Sequence, residues 1–170
     1  YERVRIIGDI HGCYTALQQA ITPWDEKTLY IFCGDYLERG IENKEMIYEM
    51  MRLSTLPNTI MLEGNHERHI ANFAFNTNLD HSKRFMKEVV APIVKDMTKK
   101  DVESLQRELR LFYKSLRQCY PFSFHGKKYL VSHAGLSYVP NMTFIATSTF
   151  INGFGAYETD IAKIYDNNYE

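Results

Sequence analysis

Apolar and polar positions alternate along the first half of the chain in short hydrophobic runs separated by helical patterns. Arg3–Gly8 (RVRIIG) reads as a strand, and Cys13–Ile21 as a short helix with Ala16, Leu17 and Ile21 on one side. Thr28–Cys33 (TLYIFC) is a second strand, followed by a helix over about Glu42–Leu53. Asn58–Leu62 (NTIML) is a third, begun just after the helix-stopping Pro57. This alternation is the punctuation of βα units.

The stretch 68–120 changes character and predicts helix throughout, with a break at Pro92, as an insertion between strands. Its second part places Leu105, Leu109, Phe112 and Leu116 on one helical face. Arg107, Arg110, Lys114 and Arg117 fall roughly opposite, a basic stripe that reads as a solvated face or as a surface for nucleic-acid phosphates. Strands return at Phe122–His125 and Lys128–Ser132 around a tight turn at Gly126-Lys127. Beyond Ala134 periodicity weakens, and Asp160–Tyr165 is the one further helix expected. The aromatics Tyr138, Phe144, Phe150, Phe154 and Tyr157 suit core packing better than base stacking.

Composition changes this picture little. The 170 residues suit one domain, 1–170, large enough to bury a core. With 45% hydrophobic and 24% charged residues, the chain has the make-up of an ordinary globular protein. No apolar run reaches membrane-spanning length and no basic-then-apolar leader opens it, so the expected location is cytoplasmic, without a membrane partner. A net charge of −1 provides no global attraction to nucleic acid. Cys13, Cys33 and Cys119 match no zinc-finger or CxxC spacing and read as reduced thiols in or near the core. The chain opens on Tyr1 rather than Met, so further sequence is expected at either end.

Four glycine-flanked clusters each follow a predicted strand: GDIHG at 8–12, GDYLERG at 34–40, GNHE at 64–67 and SHAG at 132–135. Each offers a carboxylate, an amide oxygen or an imidazole at a strand's carboxyl end, where open α/β sheets build their sites. Asp9 and His11 are two apart and so share a side of extended backbone, as two ligands to one ion require. Oxygen and imidazole donors without thiolate suit manganese, iron or zinc. In a two-metal site a carboxylate can bridge ions about 3.5–4 Å apart. Asp35, in the middle cluster, is the bridging candidate. Singly each cluster reads as a turn or a satisfied histidine; four in order do not.

These motifs resemble those of the calcineurin-like metallophosphoesterases, most closely the branch with the bacterial and phage serine/threonine protein phosphatases. The resemblance covers about 4–136 and is sparse across 68–120. It implies an α+β fold of αββα layering, a β-sandwich flanked by helices, carrying a helical insertion and shortened at its C-terminus. It implies two divalent metal ions, manganese foremost, with iron, zinc or nickel as alternatives. Asp9, His11 and Asp35 would hold one ion, and Asp35, Asn65 and His133 the other. Arg39, with His66 and Asn65, would bind the substrate phosphate, and His66 would protonate the leaving oxygen, oriented by an acidic residue at position 38.

Two departures stand out. Position 38 is glutamate where the family has aspartate, and one more methylene predicts a displaced pairing with His66. The family also has a last metal-binding histidine and a second phosphate-binding arginine downstream of SHAG, whereas 134–170 contains neither residue type. The expected activity is hydrolysis of phosphate monoesters in the manner of a serine/threonine protein phosphatase. Alternatives are a polynucleotide end-processing phosphatase or phosphodiesterase module of a nucleic-acid repair protein, and a nucleotide or dinucleotide hydrolase. From another class comes a non-catalytic binding module with an incomplete metal site. The partner in the leading readings is a phosphoprotein or a polynucleotide end.

Overall fold

The computed structural model describes residues 1–135 and 145–153. The first three strands are β1 (Arg3–Ile7), β2 (Thr28–Phe32) and β3 (Thr59–Met61), joined through helices α1 (Tyr14–Ile21) and α2 (Asn43–Ser54). They form one parallel sheet in sequential order, with Arg3 opposite Thr28 and Tyr30 opposite Thr59. A parallel sheet needs such crossovers and needs cover on both faces. Every residue of β2 is buried, which explains why TLYIF reads as a continuous apolar run rather than an alternating one.

The two faces of β2 serve different layers. Tyr30 and Phe32 join Met46, Met50, Leu53, Leu105 and Leu109 in the main core beneath the helices. Leu29 and Ile31 join Leu62 in a smaller cluster, against which Tyr120, Phe122 and Val131 pack. Those last three come from the antiparallel hairpin β4 (Cys119–Phe124) and β5 (Lys127–Ser132). A parallel bridge between Leu62 and Arg117 ties the hairpin's approach to the end of β3. Helices, parallel sheet and hairpin thus stack in the expected α, β, β order. The hairpin turns at His125-Gly126, both left-handed (φ 47° and 75°), so Lys127 opens β5 rather than lying in the turn.

The segment between β3 and the hairpin is helical but not as its sequence suggests. It runs through α3 (Glu67–Phe75), a 3-10 turn (Leu79–Ser82), α4 (Lys83–Phe85), a π turn (Met86–Val90), α5 (Ala91–Val94) and α6 (Lys99–Ser115). Pro92 breaks nothing: it sits in the first turn of α5, where a missing N–H matters least. The breaks fall instead at Asn76 and Asn78, both left-handed (φ 54° and 48°), and at Thr98. Thr98 opens α6 with a reciprocal capping box to Asp101.

Leu105, Leu109 and Phe112 are buried as expected. The basic stripe is not one face, because α6 ends at Ser115 and Arg117 lies beyond it, over the ring of Tyr120. Arg110 is committed as well, donating to the carbonyl of Ala74 at 2.7 Å. Of the cysteines, Cys33 is buried and Cys119 partly so, but Cys13 is exposed and has no packing role of the kind expected. Phe150, in α7 (Thr147–Asn152), is buried. The helix expected at Asp160–Tyr165 and the aromatics Tyr138, Phe144, Phe154 and Tyr157 lie outside the described residues.

Candidate metal centre

All four glycine-flanked clusters meet at the carboxyl ends of the strands. The first two are stitched by backbone: the N–H groups of Ile10 and His11 donate to the carbonyl of Asp35, and that of Gly12 to Tyr36. The second and third approach so closely that a Cβ on Gly34 would collide with the backbone of Gly64, and one on Gly64 with Asp35. Only glycine permits this contact. The side-chain bearers bend sharply too: His11, Asp35, Glu38 and Arg39 have φ of 46°, 53°, 73° and 62°, a region that non-glycine residues seldom occupy.

Asp35 is buried at the centre and divides its two oxygens. Oδ2 lies 3.5 Å from His11 Nε2, and Oδ1 lies 3.6 Å from His133 Nε2. On the first side Asp9 Oδ2 stands 3.8 Å from His11 Nε2, and Asp9, His11 and Asp35 each bring a ligand atom within 4.8 Å of the others. On the second side Asn65 Oδ1 stands 3.2 Å from His133 Nε2. Two donors on one ion, with bonds of about 2.0–2.2 Å, are separated by roughly 3–3.5 Å; the contacts of 3.2–3.8 Å reach or slightly exceed that span.

The tautomers fit the same purpose. His11 Nδ1 lies 3.1 Å from the carbonyl of Leu37, and His133 Nδ1 lies 2.8 Å from that of Cys33. A carbonyl only accepts, so both rings donate from Nδ1 and turn Nε2 towards Asp35, the orientation of a metal-ligating histidine. His11 Nε2 is buried with no hydrogen-bond partner. The Asn65 carbonyl oxygen likewise faces only acceptors, and exchanging its amide atoms would satisfy it by donation to Asp35 and His133. A cation among these lone pairs makes the present orientation the favourable one. The donor set therefore fits divalent ions on both sides of Asp35.

Beside this cluster, His66 Nδ1 pairs with Glu38 Oε2, so the longer glutamate reaches the imidazole. Asn43 fixes the loop that carries Glu38. Its side chain accepts from the Glu38 N–H (2.9 Å) and donates to the Gly40 carbonyl (2.7 Å). Arg39 Nη2 lies 3.3 Å from His66 Nε2, and the His66 N–H donates to Asp35 Oδ1 at 3.0 Å.

One organising residue has no counterpart in the sequence reading. Glu67 is fully buried and accepts from the backbone N–H groups of Gly64 (2.7 Å), Asp35 (2.8 Å) and Tyr36 (3.0 Å). It clamps the second and third clusters together. Burial, reinforced by the nearby Asp35 charge, raises its pKa to about 7, against the three N–H bonds that lower it. The only available signal was the acidic residue closing GNHE, which also suits an ordinary first helical turn.

Fold and site together define a class. The chain matches the family model for calcineurin-like phosphoesterases over residues 2–164 and belongs to that family. A serine/threonine-protein phosphatase 2 of Salmonella typhimurium (strain LT2) is 31% identical over 137 residues, covering 79% of this chain and 59% of the relative. A symmetrical bis(5'-nucleosyl)-tetraphosphatase of Baumannia cicadellinicola subsp. Homalodisca coagulata is 32% identical over 136 residues, covering 77% and 41%. The chain thus spans about half the length of the curated relatives it matches. A solved structure provisionally described as a diadenosine tetraphosphatase superposes with a TM-score of 0.53 at 20% identity, covering 84% of this chain and 55% of that one, and attests the fold. Among the described residues, no helix is long and apolar enough to cross a membrane.

Proposed function

We propose that this chain is a phosphoric ester hydrolase built on a dinuclear metal centre, acting on phosphate monoesters in the manner of a serine/threonine protein phosphatase. The observation that carries the reading is the division of Asp35, one oxygen towards His11 and the other towards His133. In this reading Asp9, His11 and Asp35 hold one ion, and Asp35, Asn65 and His133 the other; manganese suits this donor set. The ions supply Lewis-acid charge and an activated water. The remaining work falls to side chains. Arg39 binds the equatorial phosphate oxygens with its planar guanidinium, aided by Asn65 and His66. Glu38 holds His66 through Nδ1, and with Arg39 turned from Nε2 to the phosphate, a protonated Nε2 would deliver its proton to the departing oxygen.

The proposal includes a single domain over 1–170, with 68–120 inserted, working in the cytoplasm. A nucleotide or dinucleotide hydrolase is the second reading, supported by the likeness to the bis(5'-nucleosyl)-tetraphosphatase. A polynucleotide end loses support with the basic stripe. A binding module without catalysis fits poorly with the Glu38–His66 pairing beside Arg39.

The test is turnover of p-nitrophenyl phosphate with added manganese and with chelator. Manganese-dependent turnover abolished by chelator is expected, and no turnover at any metal concentration would sink the hydrolase reading. A phosphopeptide compared with a dinucleoside polyphosphate then separates the two leading substrates.

A further inference from the structure

Beside the loop that carries Arg39 lies an open cavity of about 380 Å³, walled by Gly40 and Ile41 on one side and by Val89, Pro92 and Ile93 of the insertion on the other. Gly40 directly follows Arg39, so the cavity begins one residue along the chain from the phosphate-binding guanidinium. Val89 and Ile93 are buried members of the main core and make an apolar floor, with Pro92 exposed beside them. Ile41 is 97% exposed, more than any other large apolar side chain among the described residues.

An apolar side chain on a slack loop would fold over onto its neighbours, but this loop is fixed on both sides of Ile41. The Gly40 N–H donates to the carbonyl of His11 at 2.8 Å, and the Glu42 N–H to that of Gly12 at 3.0 Å. A Cβ on Gly40 would collide with the backbone of His11 and Gly12, so the loop lies flush against the first cluster. Asn43 Nδ2 donates to the Gly40 carbonyl at 2.7 Å. Ile41 is therefore presented outwards at a set place relative to Arg39. Charge narrows what it meets. Lys44 and the carboxylates of Glu45 and Glu88 also line the cavity, and Glu88 is already paired with Arg84 at 2.8 Å, so no net positive charge remains to attract an anion.

We propose that this cavity receives an uncharged apolar side chain of the polypeptide that carries the phosphate, with Ile41 as the specificity-determining residue. The inference rests on the phosphoprotein reading above and narrows it to phosphorylated residues with an apolar neighbour. With the phosphate held by Arg39, the cavity is in reach of the flanking chain. An extended peptide advances about 3.4 Å per residue, so a side chain within about three positions spans the gap. Seated there it covers Ile41 and Pro92 and removes apolar surface of both partners from water. A dinucleoside polyphosphate, anionic beyond the attacked phosphorus, gains nothing from such a surface.

The experiment measures kcat/KM, with manganese, on a phosphoserine peptide of otherwise alanine and serine residues that carries leucine in turn at each of about three positions on either side. In the wild-type protein, leucine at one or two adjacent positions should raise kcat/KM about tenfold over alanine, chiefly through KM. In Ile41→Ser that gain should fall to about twofold or less, whereas Ile41→Leu should keep it. Turnover of p-nitrophenyl phosphate, which has no flanking chain, should be the same in all three proteins. Because Ile41 is so exposed, the substitutions leave the core intact. A wild-type protein indifferent to leucine at every position, or a preference that survives in Ile41→Ser, overturns the pocket and leaves the hydrolase reading in place. Turnover of p-nitrophenyl phosphate but of no phosphopeptide overturns the phosphoprotein reading, and the pocket with it.

Discussion

Asp35, buried between two histidines that both turn Nε2 to it, concentrates the chemistry in one carboxylate. Asp35→Asn should empty both metal positions together, read as metal content by mass spectrometry; a variant that keeps both ions rules out the bridge. For His66 the expectation concerns the leaving group. His66→Asn should lower turnover of alkyl phosphates by about 10²–10⁴, the usual contribution of general acid catalysis. The loss should shrink on p-nitrophenyl phosphate, whose leaving group scarcely needs a proton, and equal losses on both would remove the role. These residues were legible because short glycine-flanked clusters advertise them. Glu67 and Asn43 were not. Each serves the site through hydrogen bonds to partners distant in sequence or to a neighbouring turn, and nothing in a single polar residue announces such partners.

Among the elements, strand and helix identities in the βα half followed from periodicity, with boundaries shifted by a residue or two. The basic stripe on α6 failed because periodicity cannot show where a helix stops: Arg117 is drawn out of register by its bridge to Leu62. The apolar face of α6 was legible and carries the insertion's attachment to the core. Leu109→Ala should destabilise the protein by about 2–5 kcal/mol in a denaturant melt, as full burial in such contacts predicts. At the start of the sheet, Asp25 accepts from Thr28, Arg3 and the Lys27 N–H, which hold its pKa down at about 2. A carboxyl depressed on folding adds stability above its unfolded value of 3.8, and this contribution disappears as pH falls towards 2. Asp25→Asn should flatten that part of the stability profile, and a profile unchanged between the two proteins would show the pairing to be inert.

At the scale of the molecule, one parallel sheet presents three loops to a common point and the hairpin delivers the fourth. The layer order was foreseeable from the family resemblance, with which burial of β2 on both faces agrees; the hairpin's early start at Cys119 was not, since it depends on Tyr120 meeting Leu29, Ile31 and Leu62 across the sheet. The two sides of Asp35 are unequal in donor strength. One has a second carboxylate and an imidazole; the other relies on an amide oxygen and an imidazole. Calorimetric metal titration should therefore resolve a tighter site at Asp9–His11 and a weaker one at Asn65. Two indistinguishable tight sites would mean that a further donor completes the second.

The left-handed backbone at Glu38 and Arg39 has a consequence for how this chain can change over generations. An L-residue held there sacrifices roughly 1–2 kcal/mol that glycine would not, offset in part by glycine's greater freedom when unfolded. Arg39→Gly is therefore expected to unfold at a temperature equal to or above that of the parent while losing its grip on phosphate, which paired melting and turnover measurements would reveal. Drift to glycine at these positions is not opposed by folding, and only selection for the reaction keeps side chains there. A descendant released from that selection should retain its fold, and even gain robustness, as its chemistry decays.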